Sequence, residues 1–209
     1  MVIAFGNAKP GTGKSTLLLL LATYLSGKEK RKIYLLDMQA GGMLGLLFER
    51  SVILEHQLPF EYFYCDLVHF ELLYARLGAA SDAYILVELP STMHDERIQS
   101  VFSKLDILFC PFCYDRATLN STIYFASLAR RIKTGLSLVF LPNRILGSAA
   151  YEFKREIDAL LRQIASLSTG IGEHIGFQRI SSLQLEPRLL GRYSATLDLI
   201  YSLYLRKKL

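Results

Sequence analysis

Residues 2–16 read Val2-Ile3-Ala4-Phe5-Gly6-Asn7-Ala8-Lys9-Pro10-Gly11-Thr12-Gly13-Lys14-Ser15-Thr16, and Leu17-Leu18-Leu19-Leu20-Leu21-Ala22 follow at once. An apolar run, a glycine-rich stretch, a lysine, two hydroxyls and a second apolar run predict a buried strand, a loop and a helix. A phosphate-binding loop needs that order. Glycine lets the backbone curl so that several N–H groups point inward, and the helix N-terminus adds partial positive charge. On this reading Lys14 reaches the β- and γ-phosphates and Ser15 ligates Mg²⁺. Ala8, Pro10, Gly11, Thr12, Gly13 and Thr16 complete the cradle. One position departs from the strict pattern: Ala8 stands where glycine is usual. Pro10 removes one N–H and fixes φ near −65°, so a positive φ there would be strained.

Outward from the loop, short apolar runs alternate with amphipathic stretches. Strands are predicted at 2–5, 32–36, 62–64, 84–87, 107–111 and 136–141, with 173–178 as a final strand. Helices are predicted at 14–26, up to about 77 after the third strand, and at 117–132, 151–167 and 191–207. Near-continuous apolar strands separated by helices indicate an α/β fold: three layers, with a mostly parallel central sheet flanked by helices. We expect one nucleotide-binding domain spanning 1–209. Ligands of such sheets lie beyond the carboxyl ends of the strands.

Composition excludes other classes. The chain has 209 residues, 51% of them apolar and 21% charged, too apolar for a disordered chain. Mean hydropathy is +0.26, yet no run approaches the roughly 20 apolar residues of a membrane span. No signal peptide is evident at the N-terminus. Three cysteines are too few for a disulfide scaffold and fit a reducing, cytoplasmic setting. Cys110-Pro111-Phe112-Cys113 is by itself a weak metal or redox signal, and Cys110 falls in a predicted buried strand.

Polar residues mark the predicted strand ends. The second strand runs into Asp37-Met38-Gln39-Ala40-Gly41-Gly42, where Asp37 either serves the metal shell or caps the following turn. The run Tyr84-Ile85-Leu86-Val87 ends in Glu88 and then Leu89-Pro90-Ser91. An acid closing a buried strand is costly unless paired or metal-linked. The run 136–141 ends in Pro142-Asn143-Arg144. An asparagine amide there can donate and accept at a purine edge, or form a turn.

These motifs, in this order, resemble the ParA/MinD-type ATPases of the P-loop NTPase class. Their deviant phosphate loop carries a second lysine, matched here by Lys9 in Ala8-Lys9-Pro10-Gly11-Thr12-Gly13-Lys14-Ser15. The resemblance extends through 37–42, 84–91, the segment 107–121 and Asn143, and is similar to orphan members on mobile elements. It implies ATP/ADP with Mg²⁺ as cofactors, Ser15, Asp37 and Glu88 at the metal, and Asn143 with Arg144 at the base. Lys9, Lys14, Asp37 and Gln39 are the catalytic candidates. It also implies a nucleotide-dependent homodimer in which Lys9 reaches the partner's nucleotide, with residues 114–121 near the dimer face. Gln39 and Glu88 stand where the family usually has aspartates, so a slow ATPase is one reading. A nucleotide-binding module with little or no hydrolysis is the other. A small-molecule kinase lacks an evident arginine-rich lid.

The net charge of +5 is compatible with a polyanion partner. Basic residues cluster at Lys28, Lys30, Arg31 and Lys32, at Arg130, Arg131 and Lys133, and at Arg206, Lys207 and Lys208, with Arg188 and Arg192 further candidates. They are either solvated helix ends or a nonspecific DNA surface. No base-reading motif is present, so target choice is expected from an activating partner protein. Leu197, Ile200, Leu203 and Tyr204 form a helical stripe that packs on the domain or, less in keeping with the rest, lies on a membrane.

Overall fold

The computed structural model describes residues 1–78, 82–91, 95–147 and 151–206. Seven strands form one sheet: β1 (Val2–Phe5), β2 (Lys32–Asp37), β3 (Glu61–Tyr64), β4 (Ala83–Glu88), β5 (Ile107–Phe112), β6 (Ser137–Pro142) and β7 (Ser166–Leu167). Their order is β3-β2-β4-β1-β5-β6-β7, and every pairing is parallel. The expected mostly parallel sheet is thus wholly parallel. The helices are α1 (Lys14–Lys28), α2 (Met43–Ile53), α3 (Phe70–Gly78), α4 (Ile98–Lys104), α5 (Arg116–Ile132), α6 (Lys154–Ile164), α7 (Ile175–Gln178) and α8 (Pro187–Ile200). A π-helical turn, Tyr201–Leu205, continues α8.

Both faces of the sheet are covered, which is why the strands read as unbroken apolar runs. Side chains alternate between faces. Ile3 and Phe5 join the core under α1 and α8, whereas Val2 and Ala4 join the core with α4 and α5. Helix α1 is apolar nearly all round because it packs on the strands and against α8. Leu18, Leu19 and Leu20 are wholly buried. Most of the C-terminal stripe belongs to this packing: Leu197 and Ile200 are buried and the Tyr204 ring meets Phe109 edge-on at 6.1 Å, whereas Leu203 is 60% exposed. Among the described residues no helix is long and apolar enough to cross a membrane.

Four expectations need correction. Residues 173–178 form no strand; they hold the short helix α7, whose N-terminus His174 caps by accepting from the Gly176 N–H. The final strand is instead Ser166–Leu167, inside the stretch expected to be helical to 167, and it pairs with Val139 and Phe140. Helix α6 ends at Ile164 because the chain there turns extended to reach the sheet edge. The last helix starts earlier than expected, with Pro187 in its first turn, where a missing N–H costs nothing. Its expected end at Lys207 lies outside the described residues, as does Lys208.

The topology brings the site together. Strand order reverses around β1, so the loop after Phe5 opens into the crevice at the sheet's carboxyl edge. Glu88 is in register with both Phe5 and Asp37. The two acids therefore stand on adjacent strands, level with the start of the loop.

Candidate functional site

The loop is pinned from beneath. The Gly6 N–H donates to Phe109 O at 3.0 Å, and a Cβ on Gly6 would stand 2.5 Å from Cζ of Phe125, so only glycine lets α5 approach this closely. Asn7 is fully buried. Its Nδ2 donates to Pro111 O (2.8 Å) and Thr122 Oγ1 (2.7 Å), and its Oδ1 accepts from Lys9 N (2.9 Å) and Ser121 Oγ (3.3 Å). One side chain thus ties the loop to β5 and α5. Sequence reasoning assigned Asn7 no role; the available signal was a polar residue just after a buried strand. Positive φ occurs at Gly11 and Gly13, and Pro10 is spared it, so the strain expected at Pro10 does not arise.

Lys14 is buried, and its Nζ donates to Asn7 O (3.4 Å) and Ser91 Oγ (3.2 Å). Burial lowers its pKa, and the attraction of Glu88 opposes that shift. Ser15 Oγ donates to Glu88 Oε1 at 2.7 Å. Burial pushes the Glu88 carboxyl up to about 7; the Ser15 hydrogen bond and Lys14 pull it down, while Asp37 pushes it further up. Ser91 Oγ donates onward to Gln39 Oε1 at 3.4 Å. Together with Pro10, Gly11, Gly13, Thr16 and Met43, these side chains line a hollow of about 350 Å³.

A second hollow, of about 270 Å³, lies on the other side of the loop and shares Gly11, Gly13 and Thr16 with the first. Asn143 and Arg144 line it. Asn143 Nδ2 donates to Thr12 O at 2.9 Å, so the amide also braces the loop. Arg144 clasps Glu173 through two N–H donors at 3.2 Å each. Glu173, His174, Phe177 and Gln178 complete the wall. Reading 173–178 as a strand hid these four residues. Phe177 is fixed by stacking on Tyr193, with ring centres 5.1 Å apart.

Two candidates sit apart from this cluster. Asp37 is buried; its Oδ1 accepts from Gln39 N (2.8 Å) and its Oδ2 from the Tyr62 hydroxyl (3.1 Å). The Gly45 N–H adds a third donor. Asp37 thus caps the turn and the start of α2, and it lines a separate hollow beside β3. Burial raises its pKa against these donors. Lys9 reaches away from its own loop, and its Nζ pairs with Asp115 at 3.2 Å. Asp115 in turn caps α5 by accepting from Thr118 N at 2.8 Å. Ala8 packs against the core beneath α5. Cys110 is sealed within β5, and Cys65, Cys110 and Cys113 are all free thiols. Among the described residues no group of three or more His, Cys, Asp or Glu could hold a metal ion.

Several basic residues are engaged internally. Lys28 pairs with Asp198 at 2.7 Å and lies over the rings of Tyr24 and Tyr201. Arg31 pairs with Asp82 at 2.9 Å. Lys133 Nζ donates to Ser103 O (3.1 Å) and Leu105 O (2.7 Å), closing the C-terminal end of α4.

No family model and no curated protein matches the chain. Solved structures do. The plasmid partition protein of Borrelia burgdorferi bound to AMPPNP superposes with a TM-score of 0.69 at 17% identity, covering 96% of this chain and 98% of that one. A variant of Cyanothece McdA in complex with ATP gives 0.73 at 14% identity, with 100% and 97% covered. MinD of Aquifex aeolicus gives 0.72 at 18% identity, with 100% and 98% covered. Along nearly its whole length, the chain has the fold of the ParA/MinD-type P-loop ATPases.

Proposed function

We propose that the chain is a ParA-like switch, one nucleotide-binding domain over 1–209 that binds ATP and dimerises while ATP is bound. The observation that carries this reading is the paired hollows wrapped around one loop. The first presents Lys14, Ser15 and loop N–H groups to phosphates; the second presents Asn143 and the Arg144–Glu173 clasp to a base. Two structural neighbours, the Borrelia partition protein and McdA, are complexes with AMPPNP and ATP.

Ser15 and Glu88 offer a hydroxyl and a carboxylate 2.7 Å apart, hard oxygen donors of the kind Mg²⁺ takes alongside phosphates and water. Bound there, the ion neutralises phosphate charge. Asp37 stands behind this pair and acts through the turn it caps. Gln39 reaches the phosphate hollow with an amide in place of an acid, which can orient water but is a poor base. Slow hydrolysis follows, stimulated by a partner protein. The same Gln39 and Glu88 favour the second reading, a nucleotide-dependent module with little turnover. Lys9 and residues 114–121 form the dimer face, and the closed dimer holds DNA without reading its sequence. The setting is cytoplasmic, in plasmid or chromosome partition or in the transfer of a mobile element.

Light scattering with and without AMPPNP and Mg²⁺ tests the switch. The wild-type chain is expected to double in mass with nucleotide. Lys9→Ala is expected to bind AMPPNP with unchanged affinity yet stay monomeric, and Lys14→Ala to lose at least about tenfold in affinity. Dimerisation of Lys9→Ala equal to wild type would overturn the reading.

A further inference from the structure

The largest of the hollows described above is not the nucleotide's. It lies between α2 and β3, holds about 580 Å³, and reaches the surface past Leu46 and Tyr64, which are 63% and 54% exposed. That volume is within the roughly 300–1,000 Å³ of small-molecule sites. Its wall is aromatic: Phe48 stacks on Tyr62 with ring centres 4.5 Å apart, and Tyr64, on the same face of β3 as Tyr62, extends the surface. Two carboxylates line it, Asp37 at the inner end and Glu49 beside Phe48, and among the described residues no Lys, Arg or His does.

We propose that this hollow binds a small organic ammonium ion with an aromatic body. The ring lies against Phe48 and Tyr62, and the ammonium faces the carboxylates. The three donors to Asp37 are all neutral: the Gln39 N–H, the Gly45 N–H and the Tyr62 hydroxyl. An ionised carboxylate has about four acceptor positions, so one remains for a cationic donor. A cation over an aromatic face gains further attraction from the ring, whereas an anionic ligand would meet only like charge. Gly45 keeps the inner end open. It stands in the first turn of α2. A Cβ there would stand 3.4 Å from the Tyr62 hydroxyl and 4.0 Å from Asp37 Oδ2, narrowing the space where the ammonium sits. The inference does not depend on the nucleotide reading, and its test uses no nucleotide.

Calorimetric titration of the full chain with tyramine, 4-ethylphenol and 4-hydroxyphenylacetate compares one ring carrying a positive, no and a negative charge. Tyramine is expected to bind one to one, at least about tenfold more tightly than the neutral phenol, and the anion not at all. Glu49→Gln is expected to weaken tyramine about threefold or more. Tyr64→Ala removes a half-exposed ring without touching the core and is expected to weaken it similarly. Gly45→Leu fills the hollow and is expected to abolish binding; if that variant does not fold, Glu49→Gln and Tyr64→Ala decide. Failure of tyramine to saturate by about 10 mM, equal affinity for the three probes, or unchanged tyramine affinity in both Glu49→Gln and Tyr64→Ala would overturn the proposal.

Discussion

Glu88 is the residue in which strand burial and site chemistry conflict most directly. It closes a strand whose every residue is buried, and its nearest polar partner is the Ser15 hydroxyl. Burial raises its pKa from the ordinary 4.5 to about 7, while the unfolded chain keeps the ordinary value. Between these values the folded protein holds a proton that the unfolded chain has released. The contribution of Glu88 to stability without nucleotide is therefore greatest below about pH 4.5 and falls by about 3 kcal/mol as pH rises towards 7. Glu88→Gln keeps an acceptor for Ser15 but cannot titrate. Urea unfolding from pH 4.5 to 8 is expected to show the variant gaining on wild type across that window and remaining more stable above it. Parallel profiles would show that Glu88 keeps its ordinary pKa. A cation held by Ser15 and Glu88 would remove the conflict, because the ionised form would then have its counter-charge.

At the scale of elements, Asp37 links β2 to α2. Gly42 precedes α2 and offers no side chain to its free N–H groups, which need partners. The Asp37 carboxylate takes the Gly45 N–H instead, together with the Gln39 N–H and the Tyr62 hydroxyl. Asp37→Ala leaves these donors buried, and a loss of about 2 kcal/mol or more is expected in urea unfolding. Hydrogen exchange is expected to rise first in α2. How far elements can be read from sequence follows from where their information lies. Strands β1, β2, β4, β5 and β6 are legible because both faces are buried and each is an unbroken apolar run. Helix α2 escapes notice because its buried positions Leu44, Leu47 and Ser51 are mixed with exposed Leu46, Val52 and Ile53, so hydropathy does not follow burial. Helix α4 has only seven residues, too few to show a period. Strand β7 has two; it exists because Val139 and Phe140 offer a sheet edge, which local sequence does not encode. The same limit divides the site. Lys14, Ser15, Glu88 and Asn143 follow recognisable runs, whereas Glu173 and Phe177 line the hollow beside Asn143 from α7 and the residue before its cap, which the pattern at 173–178 conceals.

Across the whole molecule, charge is unevenly spread. Residues 49–71 carry five carboxylates, Glu49, Glu55, Glu61, Asp66 and Glu71, against Arg50. That segment is net −4, which leaves +9 on the remainder of a chain whose total is +5. The acids lie on and around the β3 edge, and nucleic acid would approach elsewhere. The basic residues also differ in what they are free to do. Lys28, Arg31 and Arg144 are matched to carboxylates, and Lys133 closes α4, whereas Arg130 and Arg131 are exposed in the last turn of α5. Counterion release gives each phosphate neutralised a slope of about 0.9 in log affinity against log salt. On the proposed DNA-holding dimer, replacing Arg130 and Arg131 by alanine is therefore expected to weaken binding equally on unrelated duplexes. The salt slope should fall by about 2 per protomer in contact. Lys133→Ala should instead cost about 1 kcal/mol of stability through α4 and leave the slope unchanged. Fluorescence anisotropy with ATP between about 50 and 200 mM salt reads both. An equal loss of slope in the two variants would mean that DNA responds to total charge and not to this helix end.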